Sequence, residues 1–217
     1  MKRRTLDIIT GIGGLVIATM LAVLGVVMLN NASFAKSYVK TQLSEQHVVF
    51  TAKDKLTAEE AQSPCIVANA GKALTTGKQA ECYANHYIGL HVQSVAKGKT
   101  YADLGGPLFA LQAQIAATKA NDPALPDLQK QLATITAQRE TLFHGETLRG
   151  LLLTSYGFSE MGAKAGQAGT VAFLGAGVLA LLALAGLVHG VMTPATEAFA
   201  PAERKPRARR APAVVEA

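Results

Sequence analysis

The residues best suited to chemistry form a short polar segment in the C-terminal half of the chain. His144, Glu146 and Arg149 bring an imidazole, a carboxylate and a guanidinium together within six residues. Such groups can act as a general acid or base. The competing interpretation is structural: an i,i+3 ion pair between Glu146 and Arg149, or hydrogen bonds to a neighbouring helix. We favour the structural interpretation, so we predict no catalytic residue and treat the segment as a candidate interaction cluster.

The histidines do not follow a metal-ligand pattern. His86 and His91 are five residues apart, which places them about 140° from each other around a helix, whereas a shared metal needs a spacing of four. His86 is therefore only a further candidate for the interaction cluster. We predict neither a metal site nor a cofactor.

Two glycine-rich segments resemble nucleotide-binding motifs but depart from them. In residues 11–16 the third glycine of a dinucleotide fingerprint is replaced by Val16, and in residues 71–79 Gln79 stands where a phosphate loop has Ser or Thr. No basic residues alternate with aromatic ones in a pattern typical of nucleic-acid binding. We therefore expect neither nucleotide nor nucleic acid as a partner.

The chain has two cysteines, Cys65 and Cys82, and we expect them to form a disulfide. Two thiols in an oxidising compartment usually pair, and their separation of 17 residues fits neither a redox motif nor a zinc site. The bond would contribute ~3 kcal/mol on the chain-entropy model. The alternative is two buried free thiols, which would apply if the membrane topology were inverted.

The elements that must position these residues are dominated by two long apolar runs. Residues 8–29 carry no charge, and residues 165–192 carry no Asp, Glu, Lys or Arg. A bilayer core of ~30 Å is crossed by about 20 helical residues, so each run predicts a membrane span. The absence of charge within the spans argues against a transporter, pump or channel.

The distribution of basic residues predicts the orientation. The net charge is +6, and the excess lies at the two ends of the chain, because residues 30–164 hold 13 Lys and Arg against 11 Asp and Glu. Basic residues flanking a span favour the cytoplasmic side, which predicts a cell-membrane protein with both termini inside. Lys36 and Lys40, just past the first span, count slightly against this orientation.

The first apolar run has a second interpretation as a cleaved secretory signal. Residues 33–35 resemble a small-x-small cleavage site, although a run of 22 residues exceeds the usual 7–15 of a signal peptide. Apolar residues at Tyr38, Val39, Leu43 and Val48 favour a helix that continues beyond the span. We therefore expect the first span to be retained.

The middle segment shows helical periodicity and no convincing strand alternation. Capping-box patterns begin at Thr57 and Thr76, and the second opens a predicted helix over residues 77–96. Further helices are predicted over residues 108–119 and 127–143, with an interruption at Gly145. The apolar residues after Glu146 are expected to lead toward the second span.

These patterns predict an all-α protein in which two transmembrane helices flank a small extracytoplasmic helical bundle. The expected segments are, in order, a cytoplasmic N-terminus (1–7), a first span (8–29), an extracytoplasmic domain (30–164), a second span (165–192) and a disordered basic cytoplasmic tail (193–217).

Both spans carry rows of small residues that let helix backbones approach closely in lipid. We expect these rows to pack the spans together or to dock on another membrane protein. They are Gly14, Ala18 and Ala22 on the first span, and Ala168, Ala172, Ala176 and Ala180 on the second.

Several segments of the chain resemble a family of small two-span membrane proteins from high-GC Gram-positive bacteria. The resemblance rests on residues 1–7, 75–92, 98–102 and, most specifically, 141–153 (TLFHGETLRGLLL). Members often carry the label aromatic ring-opening dioxygenase. That activity would need a non-haem iron held by two histidines and a carboxylate on one face, which the spacing here does not offer. The resemblance therefore implies the architecture and no chemistry.

Two hypotheses about function come from these observations. The first is a non-enzymatic accessory, assembly or structural subunit of a larger membrane or envelope complex, with a multi-span partner in the bilayer or a homo-oligomer. The alternative is an extracytoplasmic ligand-binding or sensory module anchored by two spans. An enzyme acting through His144, Glu146 and Arg149 ranks last.

Overall fold

The computed structural model describes residues 2–197, and these form an all-helical protein, which confirms the predicted class. The chain divides into two compact units, which we call the span pair (Met1–Val27 with Gly169–Ala217) and the central unit (Met28–Ala168). The described residues form no β-ladder longer than an isolated bridge such as that between Val49 and Ala73. The predicted basic tail from residue 198 onward, including Arg204, Lys205, Arg207, Arg209 and Arg210, lies outside the described residues, as does Met1.

Two helices are far longer than the apolar runs within them. Helix α1 extends over Arg3–Glu45 and helix α6 over Leu125–Met192. Both are long and apolar enough to cross a membrane by length and composition. Pro126 lies in the first turn of α6, where its missing N–H costs nothing, and Pro194 follows the end of that helix.

Shorter helices occupy the chain between α1 and α6. They are α2 (Pro64–Asn69), α3 (Gly77–Tyr83), a π-helical segment (Ala84–Ile88), α4 (Gly89–Val95) and α5 (Gly105–Ala117), with 3-10 turns at Lys53–Lys55 and Glu60–Gln62.

Local signals account for where some of these helices begin. The Thr76 hydroxyl accepts the Gln79 N–H while the Gln79 side chain accepts the Thr76 N–H, so the predicted capping box is confirmed. Thr57 and Glu60 make the same reciprocal bonds, at 2.9 and 3.2 Å, but only a 3-10 turn follows. Pro64 then starts α2 as a separate helix.

The predicted interruption at Gly145 is wrong, because α6 runs through it without a break. A Cβ atom at position 145 would lie 2.4 Å from Cγ2 of Val92. Glycine is needed there because α6 approaches α4 closely, and one glycine costs a long helix only about 1 kcal/mol.

The core of the central unit joins the C-terminal part of α1 to the disulfide region. Cys65 and Cys82 form the predicted disulfide, with an S–S distance of 2.03 Å. The main cluster of buried side chains comprises Val39, Leu43, Phe50, Ile66, Leu74, Ala80, Cys82, Ala84 and Leu152. A second cluster comprises Val92, Ala96, Leu104 and Leu142.

Candidate functional site

The structure places His144, Glu146 and Arg149 on one helix, where Glu146 pairs with Arg149 and His144 pairs with a different residue. His144 Nε2 lies 3.5 Å from the Glu140 carboxylate, one turn earlier on α6. Arg149 Nη1 lies 2.9 Å from Oε2 of Glu146 and 3.1 Å from Oε1. The Glu146–Arg149 pair is therefore the i,i+3 ion pair that the sequence offered as its structural interpretation.

Arg149 also connects α6 to the π-helical segment. Its Nη2 donates to Oδ1 of Asn85 at 3.4 Å, and Gly89 lies against the guanidinium. A Cβ atom at position 89 would lie 3.7 Å from Arg149 Nε and 3.3 Å from the carbonyl oxygen of Ala84. The Nε atom itself is buried and has no hydrogen-bond partner among the described residues. The charge of Arg149 is already matched by Glu146. We therefore interpret Arg149 as a structural contact between α6 and the π-helical segment.

His86 and His91 are both exposed and do not converge. His86 lies within the π-helical segment, whereas His91 follows in α4. In residues 2–197, no group of three or more His, Cys, Asp or Glu side chains is arranged to hold a metal ion.

The most site-like feature of the central unit is an apolar groove with a volume of about 770 Å³. Three helical segments form it: the end of α1, the stretch from α3 to α4, and the middle of α6. Its lining is mostly aliphatic and aromatic, with Tyr38, Val39, Tyr83, Tyr87, Ile88, Val92, Leu148, Leu151, Leu152 and Phe158. Ligand pockets of a few hundred to a thousand Å³ typically combine such a lining with a few polar groups.

The polar side chains of the groove are amides, hydroxyls and imidazoles. They are Gln42, Gln46, His91, Thr141, His144, Thr154 and Ser155. Thr141 and His144 lie more than three turns of α6 before Phe158, whereas Gln42 is four residues from Tyr38, and Thr154 and Ser155 are within four residues of Phe158. The hydroxyls of Thr154 and Ser155 already donate to the carbonyl oxygens of Gly150 and Leu151. No Asp, Glu, Lys or Arg side chain lines this groove, so it suits an amphiphile without strong charge.

Tyr83 is a half-buried residue of the groove wall. Burial, followed by the neighbouring Tyr87 phenol, raises the pKa of Tyr83 to about 12. The Tyr83 ring stacks on Tyr87 with centroids 4.6 Å apart and meets Phe50 edge-on at 5.2 Å. The wall at this point therefore consists of the stacked Tyr83 and Tyr87 rings, which pack against the main core through Phe50.

An aromatic cluster lies at the end of the groove that Tyr38 and Phe158 form. Tyr38 and Phe158 line it, with ring centroids 5.8 Å apart, and Phe34 contacts both at 5.7 and 6.4 Å. Along the chain, these are the groove residues nearest to the two apolar runs.

The span pair packs through small residues, although the buried set differs from the predicted rows. Ala18 and Ala176 are buried, Gly14, Ala22, Ala172 and Ala180 are half-buried, and Ala168 is exposed. On α6 the buried positions of the span pair are Gly169, Ala176, Ala183 and Gly190, one every seven residues.

This period of seven places the small residues of the two helices against each other. A Cβ atom at Gly14 would lie 3.0 Å from the Ala183 Cβ, and one at Gly25 would lie 3.1 Å from the Gly169 carbonyl oxygen. A seven-residue repeat keeps a contact seam on one side of two slowly coiling helices. At one end of the seam, His189 Nδ1 lies 3.1 Å from the Asp7 carboxylate.

Sequence reasoning missed the groove as a site, although it identified His144 and the neighbouring apolar residues. The sequence signal that could have revealed the groove is the pair Leu148 and Leu151. These residues continue the apolar face of α6 beyond the part of the helix that the small core covers. Leu148 is 50% exposed and Leu151 61% exposed. A helix face with too many apolar residues for its core indicates an unfilled surface.

Comparison with models of protein families, with curated proteins and with solved structures finds no match to this chain.

Proposed function

We propose that this chain is a non-enzymatic, two-span membrane protein whose central unit lies outside the cell and binds an uncharged or weakly polar amphiphile in the apolar groove. The observation that carries the proposal is the groove itself, which has a volume of about 770 Å³ and is lined mostly by aliphatic and aromatic side chains, with no Asp, Glu, Lys or Arg among them. The pairing of His144 with Glu140 and of Glu146 with Arg149 supports a non-enzymatic role, since each candidate acid or base already has a partner.

The exposed surface of the span pair supports insertion in a bilayer. Met20, Val171, Leu174 and Leu181 are between 66% and 71% exposed. Water would penalise so much apolar surface, whereas lipid tails cover it. The Thr19 hydroxyl donates to the Leu15 carbonyl oxygen at 2.8 Å, so this polar side chain is satisfied within its own helix.

The Cys65–Cys82 disulfide supports an extracytoplasmic central unit. Disulfides persist in oxidising compartments and are rare in the cytoplasm. The basic residues before α1 favour the inside for the N-terminus. The resemblance to small two-span membrane proteins supports the same architecture, and we do not propose a ring-opening activity.

The two ends of the groove fit the two ends of an amphiphile. The end at Tyr38 and Phe158 suits an alkyl chain, because the Thr154 and Ser155 hydroxyls there donate to carbonyl oxygens of their own helix. His91 and His144 offer hydrogen bonds to a polar head. Thr141 and Phe158 are 17 residues apart on α6, which corresponds to roughly 25 Å of helix. The groove therefore suits an elongated ligand better than a compact one.

Photolabelling tests this function directly. The full-length protein, in nanodiscs of phosphatidylcholine, is exposed to a fatty alcohol that carries a diazirine on its chain, and labelled peptides are mapped by mass spectrometry. We expect labels in residues 38–48 and 141–158. Labels confined to residues 8–29 and 165–192 would show ordinary partition into the bilayer and would overturn the proposal.

Matched variants locate the labelling in the groove. Leu151→Glu places a carboxylate in the groove, whereas Phe109→Glu makes a similar change at a position that is 65% exposed and does not line the groove. Leu151→Glu should abolish groove labelling, and Phe109→Glu should leave it unchanged. Thr154→Phe, which fills the groove without a charge, should also abolish labelling. Labelling that survives in both groove variants would count against the groove as the binding site.

The second candidate function is an accessory subunit of a multi-span complex, supported by glycines on the outer surface of the span pair. Cβ atoms at Gly13, Gly175 and Gly177 would meet nothing within 4 Å. Small residues on an outer surface allow another helix to approach closely. The partner contact would be additional to the seam that joins α1 to α6.

Co-purification from native membranes in mild detergent tests this candidate. We expect a stoichiometric multi-span partner with the wild-type protein and its loss from the Gly175→Leu/Gly177→Leu variant. Val178→Leu, at a neighbouring exposed position, is the control and should retain the partner. Recovery of the chain alone, or as a homo-oligomer, would contradict the accessory-subunit function and would leave the ligand-binding function as the only proposal.

A further inference from the structure

A second concavity on the central unit differs from the groove in carrying positive charge. Its volume is about 500 Å³, and α1, α6 and the segment before α3 form it. The polar side chains that line it include Lys36, Lys40, Ser33, Thr75 and Ser159. No carboxylate lines it.

Close helix packing creates the floor of this concavity. A Cβ atom at Gly162 would lie 2.5 Å from the Ala35 Cβ, and one at Gly77 would lie 2.4 Å from the Ser159 Cβ. Glycine at both positions lets three backbone segments meet without intervening side chains. The resulting hollow is open above a surface of small residues and is bordered by two lysines.

The charge of the two lysines is not balanced within the described part of the chain. Lys36 and Lys40 are four residues apart on α1, a spacing at which like charges repel. Neither ammonium takes part in an ion pair or side-chain hydrogen bond among residues 2–197. The nearby Glu160 carboxylate already lies 3.3 Å from Lys78. The arrangement therefore has uncompensated positive charge beside a hollow, which suits an anion.

The position of the lysines along α1 indicates which anion. Lys36 follows Leu29, the last residue of the apolar run, by seven residues, or about 10 Å of helix. The polar headgroup layer extends several Å beyond the hydrocarbon core, and lysine side chains reach along a helix toward it. On α6, Gly162 precedes the second apolar run by three residues. Both walls thus belong to the chain segments next to the spans.

We propose that this concavity binds the phosphate group of an anionic phospholipid, with Lys36 and Lys40 as its charged ligands and the hydroxyls of Ser33 and Ser159 as additional donors. The proposal gives a physical reason for two lysines beside the first span on the extracytoplasmic side, where the usual distribution of basic residues disfavours them. It is independent of the ligand in the groove, because the polar residues of the two sites are different.

Lipid binding is measured on the full-length protein in nanodiscs of phosphatidylcholine with or without phosphatidylglycerol. Thermal unfolding is followed by circular dichroism, and co-purifying lipid is counted by native mass spectrometry. We expect phosphatidylglycerol to raise Tm of the wild-type protein and to remain bound on release. In the Lys36→Gln/Lys40→Gln variant the rise should vanish and the bound lipid should fall by about tenfold or more, since two charge-assisted contacts are lost.

Matched variants separate this site from a general effect of charge. Lys53→Gln/Lys55→Gln removes the same charge from a 3-10 turn outside the concavity and should behave as wild type. Lys36→Arg/Lys40→Arg keeps the charge and should retain most of the lipid. Ala163→Glu adds an opposing charge at an exposed edge of the concavity and should also abolish binding, which keeps the test valid if the double glutamine variant fails to fold.

Three outcomes would overturn the proposal. The first is an equal effect of phosphatidylglycerol on the Lys36→Gln/Lys40→Gln and wild-type proteins. The second is an equal loss in the Lys53→Gln/Lys55→Gln control, which would indicate bulk charge. The third is full stabilisation by sodium phosphate in nanodiscs of phosphatidylcholine alone, which would assign the site to a soluble phosphate-bearing ligand.

Discussion

The span pair and the central unit achieve close packing by opposite means. In the span pair the buried side chains are the smallest ones, such as Ala18, Ala176 and Ala183, while large aliphatic residues such as Leu181 are exposed. In the central unit, large side chains such as Phe50 are buried. The difference is the one expected if the span pair lies in a bilayer, as proposed above, because lipid tails already satisfy large apolar side chains, whereas water expels them.

This comparison predicts that the two units respond to opposite kinds of substitution. Removing volume should damage the central unit, where a cavity leaves atoms without partners. Adding volume should damage the span pair, where helix backbones are separated by little more than hydrogen atoms or methyl groups. The following predictions test that contrast, from the largest expected effect to the smallest.

Phe50→Ala should produce the largest loss of stability. Phe50 is 2% exposed and meets Tyr83 edge-on at 5.2 Å, so its removal leaves a cavity in the main core. We expect the free energy of unfolding of the central unit to fall by about 3–5 kcal/mol. Urea unfolding of the full chain in detergent micelles, followed by near-UV circular dichroism, measures it. Phe109→Ala, at an exposed position, should change stability by less than about 0.5 kcal/mol; equal losses in both variants would contradict the packing contrast.

Breaking the disulfide should have the next largest effect, and only on the central unit. The Cys65→Ser/Cys82→Ser variant loses a cross-link that closes a separation of 17 residues, for a loss of ~3 kcal/mol on the chain-entropy model. The same unfolding experiment measures it. Reducing agent applied to the wild-type protein should reproduce the loss and should not affect the variant. A variant as stable as the wild type would show that the core around Ile66 and Leu74 suffices without the bond.

Adding volume to the seam of the span pair should separate the two helices. Gly25→Leu forces a side chain into a position where even a Cβ atom would lie 3.1 Å from the Gly169 carbonyl oxygen, at an expected cost of about 1–3 kcal/mol. An Asp7→Cys/His189→Cys background reports the seam without adding volume to it, because these two side chains already meet at 3.1 Å and oxidation cross-links the helices when they are in contact. The yield of the cross-link should drop with Gly25→Leu and persist with Gly177→Leu, where an added Cβ atom would meet nothing within 4 Å. Equal yields would show that the seam tolerates volume and would remove the contrast between the units.

The sequence was sufficient to predict the helical class, the two apolar helices, the disulfide and the Thr76 capping box, because each depends on local composition or spacing. The extent of α6 was harder to predict. Gly145 suggested a break, yet the glycine is required by the approach of Val92, which is a tertiary contact between residues far apart in the chain. The π-helical segment Ala84–Ile88 carries no sequence signal comparable to a cap, and its contact with Arg149 depends on the same tertiary packing.

The seam and the two concavities depend on which faces meet, and one sequence does not determine this. The rows predicted at a spacing of four include Ala168, which is exposed, whereas the buried α6 residues recur every seven positions. Both periods are present in a segment so rich in alanine and glycine. His144 was identified for its chemistry, but its position beside Leu148 and Leu151 in a groove required the relative placement of α1, α4 and α6.

The smallest effect we predict is acid sensitivity at the turn before α5. The Thr100 N–H and hydroxyl donate to the Asp103 carboxylate at 2.8 and 2.7 Å, and these bonds hold the pKa of Asp103 below its ordinary value of 3.8. Because the folded-state pKa is depressed, the stabilisation is complete above that ordinary value and is lost as pH falls through the folded-state pKa.

Asp103→Asn tests this by removing the charge at every pH. Wild type should exceed the variant in Tm by a small, constant margin from neutral pH down to about pH 5, and the margin should disappear in stronger acid. Thr57, which forms the same capping box with Glu60, gives a matched turn elsewhere in the central unit, so Thr57→Ala should leave the acid dependence at Asp103 unchanged. A margin that persists in strong acid would assign the effect of Asp103 to shape, since the charge would by then be absent. Because such polar caps occur in the central unit and the seam depends on volume, Asp103→Asn should leave the cross-linking yield of the span pair, measured at neutral pH, unchanged.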